Sequence, residues 1–171
     1  MRTLLLVLAV ALTPAISRAV DLRPGILREV RRCATAFQRE DIAAVIGFLP
    51  SRVVQKRGGR AALINELKDQ LTQAREMGMN RIEALPGNPA VPRTHGRLMS
   101  SLVPVTAVAY GAHVEVTQQT HILAVSADAG KHWSIIPLYD VSQAELNAWY
   151  PEFRGKVAVP VVTKPKMQLV Y

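Results

Sequence analysis

Apolar residues at Ile26, Val30, Cys33 and Phe37 recur at intervals of four, three and four, which places them on one face of a helix running from Pro24 to Phe37. Arg23, Arg28, Arg31 and Arg32 fall on the other sides, so the exposed face is basic. Asp41 stands before Ile42-Ala43-Ala44-Val45-Ile46, where a carboxylate caps free backbone N–H groups and opens a short second helix ending near 47–50. Ala61, Leu63, Ile64, Leu67, Leu71, Ala74 and Met77 then keep helical spacing, and Gly78 ends a third helix.

From Met79 the helical period gives way to runs rich in Val, Thr and Ile. Strands are predicted near 80–85, 97–109, 112–126 and 131–139, with Pro86-Gly87-Asn88-Pro89 opening a loop to Gly96. Tyr110-Gly111 and Asp128-Ala129-Gly130-Lys131 supply short turns, so the last three strands form an antiparallel meander. Ser142-Gln143-Ala144-Glu145 has the spacing of a capping box and starts a short helix through Leu146, Trp149 and Tyr150. Residues 152–171 carry strand-like valines beside Pro160 and Pro165, which suits an edge strand or an extended tail. Helices followed by long antiparallel strands give an α+β order, with the N-terminal helices packed on one face of a strongly curved sheet.

The first residues follow a different pattern. Met1-Arg2-Thr3 precedes an apolar run from Leu4 to Leu12, and Ser17-Arg18-Ala19 offers small residues at the positions preceding a cleavage site. This reads as a secretory signal peptide over 1–19, with cleavage after Ala19 and a periplasmic or secreted mature chain. Pro14 and Arg18 interrupt the run, which is shorter than the roughly 20 residues of a spanning helix. The expected organisation is therefore a signal peptide over 1–19, one domain over 20–151 and a C-terminal extension over 152–171.

The whole chain has 171 residues, 49% of them hydrophobic, 21 Lys+Arg against 13 Asp+Glu, and a single cysteine. It is too apolar for a disordered chain, and one cysteine excludes both a disulfide framework and a multi-cysteine zinc module. Losing Arg2 and Arg18 with the leader would leave 19 basic residues against 13 acidic. The basic residues are dispersed and aromatic platforms are scarce, so nucleic acid is not the expected partner. An anionic envelope surface or an acidic protein is the better match for a secreted basic chain.

Candidate chemistry is sparse. Cys33 lies on the apolar helix face, which favours a buried thiol over a nucleophile. Lys56-Arg57-Gly58-Gly59-Arg60 reads as a turn, since it lacks the preceding strand and fuller glycine pattern of a phosphate loop. The two-residue period puts His113, Glu115, Thr117, Gln119 and His121 on one strand face, and Val114, Val116, Gln118, Thr120 and Ile122 on the other. The first row is either solvated surface or a source of acid–base chemistry, with Glu115 and His121 as the catalytic candidates. Gln118 and Thr120 interrupt the apolar row and, with Tyr110 at a strand end, are candidates for ligand binding. Glu83 is a further isolated carboxylate. His95, His113, His121 and His132 have no metal-ligand spacing, and His113 and His121 lie roughly 26 Å apart on a straight strand, so no metal is expected.

The run from Arg32 to Val45, the glycine-led helix from Gly59, and the segment Ala127-Asp128-Ala129-Gly130-Lys131-His132-Trp133-Ser134-Ile135-Ile136 resemble the nuclear transport factor 2-like superfamily. The resemblance covers about residues 24–151. It implies a cone-shaped α+β domain, also called cystatin-like, often enclosing an apolar pocket and often dimerising through the outer sheet face. Its members include ketosteroid isomerase, scytalone dehydratase, polyketide cyclases and binding modules, so membership implies a fold and leaves the function open. With no convincing catalytic set, the leading expectation is non-catalytic binding of a small apolar ligand or a protein partner, without a cofactor. Alternatives are a cofactor-independent isomerase, dehydratase or cyclase, and an envelope inhibitor or immunity-type interaction protein.

Overall fold

The computed structural model describes residues 20–170; the expected signal peptide lies outside them. Four helices come first: α1 (Arg23–Gln38), α2 (Ile42–Phe48), α3 (Ser51–Lys56) and α4 (Gly59–Glu76). Six strands follow: β1 (Met79–Pro86), β2 (Arg93–His95), β3 (Leu98–Gly111), β4 (Val114–Ser126), β5 (Ser134–Pro137) and, after α5 (Gln143–Trp149) and a 3-10 turn (Pro151–Phe153), β6 (Lys166–Leu169). All pairings are antiparallel, and the strands curl into a half-barrel with the helices beside it. Two long strands, β3 and β4, form its spine. β1 and β2 pair with successive stretches of β3, and β6 and β5 with successive stretches of β4.

The caps follow from local chemistry. Asp41 Oδ1 accepts the Ala44 N–H at 2.9 Å, and Ser142 and Glu145 make the reciprocal capping box of α5. The turn between β4 and β5 is built around Ser126 and Asp128. Ser126 Oγ donates to Asp128 Oδ1 and accepts the Gly130 N–H, while Asp128 Oδ1 also accepts the His132 N–H at 3.0 Å. The His132 backbone N–H and ring, then the Ser126 hydroxyl, hold the Asp128 carboxyl well below the usual carboxylate range. Gly130 has φ +87°, a backbone conformation that favours glycine, and its lack of a Cβ leaves room for the Leu22 side chain at the start of α1.

Two apolar clusters cover opposite faces of one end of the sheet. Ile26 and Val30 of α1 pack on Val103, Ala124, Trp133 and Ile135. Leu146 and Trp149 of α5, with Tyr150, Phe153 and Val157, pack on Leu123, Val125, Ile136 and Leu138. Both faces of β4 are thus buried over Leu123–Val125, which explains its uninterrupted apolar run there. Burying side chains as large as Ile26, Leu123 or Phe153 contributes about 1.5–3 kcal/mol each. Toward Val114 the α5 layer ends and polar residues enter the strand.

Several boundaries differ from the sequence expectation. β2 falls where a loop was expected, α3 occupies a stretch for which no element was predicted, and the expected third helix begins at Gly59. His113 lies in the β3–β4 turn, so the polar row on β4 begins at Glu115. β5 starts at Ser134 because the Asp128 turn holds the chain through His132. The expected Lys56–Arg60 turn shortens to Arg57–Gly58, and two of its three cations are engaged. Arg57 pairs with Glu66 and Asp140, and Arg60 donates to the Ala43 carbonyl at 2.7 Å. In the C-terminal segment, Thr163 exchanges hydrogen bonds with Gln119, and β6 lies alongside Val114–Thr117. Among the described residues no helix is long and apolar enough to cross a membrane.

Candidate functional site

Register decides which side chains meet the helices. Val103, Val105, Ala107 and Ala109 of β3 stand opposite Ile122, Thr120, Gln118 and Val116 of β4, and Ile82 and Ala84 of β1 stand opposite Ala109 and Ala107. This is the face on which α1 packs, since Val103 and Ala124 belong to the cluster under Ile26 and Val30. Ala84 and Ala107 are cross-strand partners. Two methyl groups facing each other cannot fill the space beneath the helices, whereas larger pairs close it elsewhere.

The result is a cavity of about 220 Å³ between the sheet and helices α1, α2 and α4. Val30, Cys33, Phe37, Val45 and Leu67 line it from the helices, and Ile82, Ala84, Val105, Ala107 and Ile122 from the strands. Thr120 also lines it, and its Oγ1 is buried without a hydrogen-bond partner. Such a hydroxyl costs about 1–3 kcal/mol when left unsatisfied. Cys33 faces the same space, and burial pushes its thiol up to about 12, leaving the neutral form. No Lys or Arg side chain lines the cavity among the described residues.

Glu83 and His121 also border the cavity, and the remaining sequence candidates sit elsewhere. Glu115 stands opposite Tyr110, and His121 opposite Pro104, on the face turned away from Thr120 and Ile122. Six residues of one strand separate them, about 20 Å, too far for a shared proton relay. Glu115 Oε1 accepts the Thr117 hydroxyl at 3.3 Å. His121 borders the cavity at its strand backbone, where its carbonyl accepts the Leu138 N–H at 2.9 Å. Tyr110 donates to Glu83 Oε2 at 3.4 Å, and the Arg81 guanidinium lies 4.2 Å from its ring centroid. Gln118 donates to the Thr163 carbonyl at 3.0 Å and so fastens the C-terminal segment. Of the three ligand-binding candidates, Thr120 alone reaches the cavity. No three His, Cys, Asp or Glu side chains converge on a metal-sized space among the described residues.

A second concavity, open to solvent, runs between α1 and α2. Arg28, Arg31, Arg32 and Arg39 line it with Leu27 and Phe48, and the Arg32 guanidinium lies 5.7 Å from the Phe48 ring centroid. Glu29 pairs with Arg28 and Arg32, while Arg31 and Arg39 have no ion pair among the described residues. The sequence showed the arginines as a basic helix face but gave no sign of the apolar floor between the two helices. Comparison with family models, curated proteins and solved structures finds no match for this chain.

Proposed function

We propose that this chain is a periplasmic or secreted binding protein of the nuclear transport factor 2-like type, whose cone holds a small, neutral, mostly apolar ligand without transforming it. The observation that carries this reading is the apolar cavity with the unpaired Thr120 hydroxyl on its wall. A dry apolar cavity of about 150 Å³ accepts benzene, so by proportion about 220 Å³ accommodates about nine heavy atoms. The apolar wall supplies the affinity, and the unpaired Thr120 hydroxyl orients a ligand bearing one hydroxyl or carbonyl. A carboxylate would be buried there without a cation, which is unfavourable.

Calorimetric titration with p-cresol and toluene tests the reading, using Ala107→Phe to fill the space. The expected result is saturable one-to-one binding of both, tighter for p-cresol, and loss of both in the filled variant with its unfolding still cooperative. Absence of binding, or binding unchanged by Ala107→Phe, would overturn it. The arginine-lined groove supports a second reading, an interaction protein for an acidic envelope partner. Any such affinity should fall in Arg31→Gln/Arg39→Gln, and affinity that survives both substitutions removes its electrostatic form.

A further inference from the structure

On the sheet face opposite the cavity, β2 turns tightly into β3 and brings His95 beside Ser100. His95 Nε2 and Ser100 Oγ are 2.9 Å apart, and both residues are about 5% exposed. The Phe153 ring meets the imidazole edge-on at a centroid distance of 5.1 Å and fixes its orientation. Nδ1 makes no hydrogen bond among the described residues. His95 lines a groove of about 500 Å³ together with Arg93, Ser100, Ser101 and Lys156.

The electrostatics of this groove are one-sided. Arg93 and Lys156 are both exposed, and neither is in an ion pair among the described residues. No carboxylate lines the groove among the described residues. Both cations act on the imidazole, for burial first, then Lys156 and Arg93, lower the His95 pKa from its ordinary value. Ser101 is already engaged, donating to the Ala90 carbonyl at 2.6 Å. The Ser100 hydroxyl can donate to Nε2 or accept from it; in the tautomer in which it donates, the neutral ring carries its proton on Nδ1 and adds a donor to a groove that also holds two unpaired cations.

We propose that the His95–Ser100 groove is a binding site for a small oxyanion, a carboxylate or a phosphate, held by Arg93, Lys156 and the His95 Nδ1–H. This chemistry is independent of the neutral, apolar ligand of the cavity on the other face. Two charge-assisted contacts on an exposed rim give a dissociation constant in roughly the millimolar range.

The test follows the His95 ring signals by nitrogen-15 NMR, assigned with His95→Gln, during titrations of the folded protein with inorganic phosphate and with acetate at constant ionic strength. The expected result is a saturable shift of His95, weakened about tenfold in Arg93→Gln/Lys156→Gln. These two side chains are exposed, so the double variant should retain the fold. Saturation by phosphate alone assigns a phosphate site, by acetate alone a carboxylate site, and by both a general oxyanion site. A response that never saturates, or one unchanged in the double variant, overturns the proposal.

Discussion

Thr120→Val exchanges a hydroxyl for a methyl of nearly the same volume at a position where the hydroxyl has no partner. An unsatisfied buried hydroxyl costs about 1–3 kcal/mol, and valine also suits a strand better than threonine lacking a hydrogen bond. The empty variant should be more stable than the native chain by about 1 kcal/mol or more. For a domain of about 150 residues, each kcal/mol raises the melting temperature by roughly 2–4 °C. Ligand binding should move the other way. One neutral hydrogen bond is worth about 0.5–1.5 kcal/mol net, so p-cresol affinity should fall by a factor of about 2–13 while toluene affinity is kept. Urea unfolding gives the first quantity and calorimetry the second, with an unchanged urea slope showing that the unfolded reference is the same. A variant less stable than the native chain by 1 kcal/mol, or an equal loss of p-cresol and toluene affinity, would refute the reasoning.

Three other outcomes follow from the geometry. Cys33, with its thiol pushed up to about 12 and its side chain against the cavity, should resist iodoacetamide at about pH 8 in the folded protein and react once urea is added; rapid labelling of the folded chain would contradict its burial. His95 has a folded-state pKa lowered from 6.5, so the unfolded chain takes up the proton first and stability is lost as pH falls from 6.5 toward the folded value. The urea midpoint should therefore drop over this window, and His95→Gln should flatten the part of the slope that this ring supplies. Ser142→Ala removes one half of the α5 capping box and should cost about 1 kcal/mol, read by the same urea unfolding.

How far the residues alone disclosed this structure depends on the range of the interaction. α1, the Asp41 cap, the Ser142–Glu145 box and the long β3–β4 hairpin rest on neighbours within a few positions, and spacing reveals them. α3 has six residues and only Val53 and Val54 as apolar markers, too few for a helical period, and three-residue β2 exists only because Arg93–His95 can pair with Leu98–Ser100. The cavity was out of reach for a related reason. Ala84 and Ala107 are ordinary alanines until register sets them face to face, and nothing local tells Thr120 from any other strand threonine. Alternation correctly put Glu115 and His121 on one face, but only the packing of α1 reveals that this face is turned from the cavity. The fold near His95 is hidden too, since its partner Phe153 comes from the segment after α5.

Crystals of residues 20–171 soaked in 4-bromophenol locate a ligand by the anomalous signal of its bromine. The result expected is one strong peak between α1 and the sheet, within van der Waals reach of Phe37, Ile82, Val105 and Ala107, with the phenol oxygen at hydrogen-bond distance from Thr120 Oγ1. Bromine bound only on the outer sheet face or in the arginine-lined groove, with that cavity empty, would contradict it.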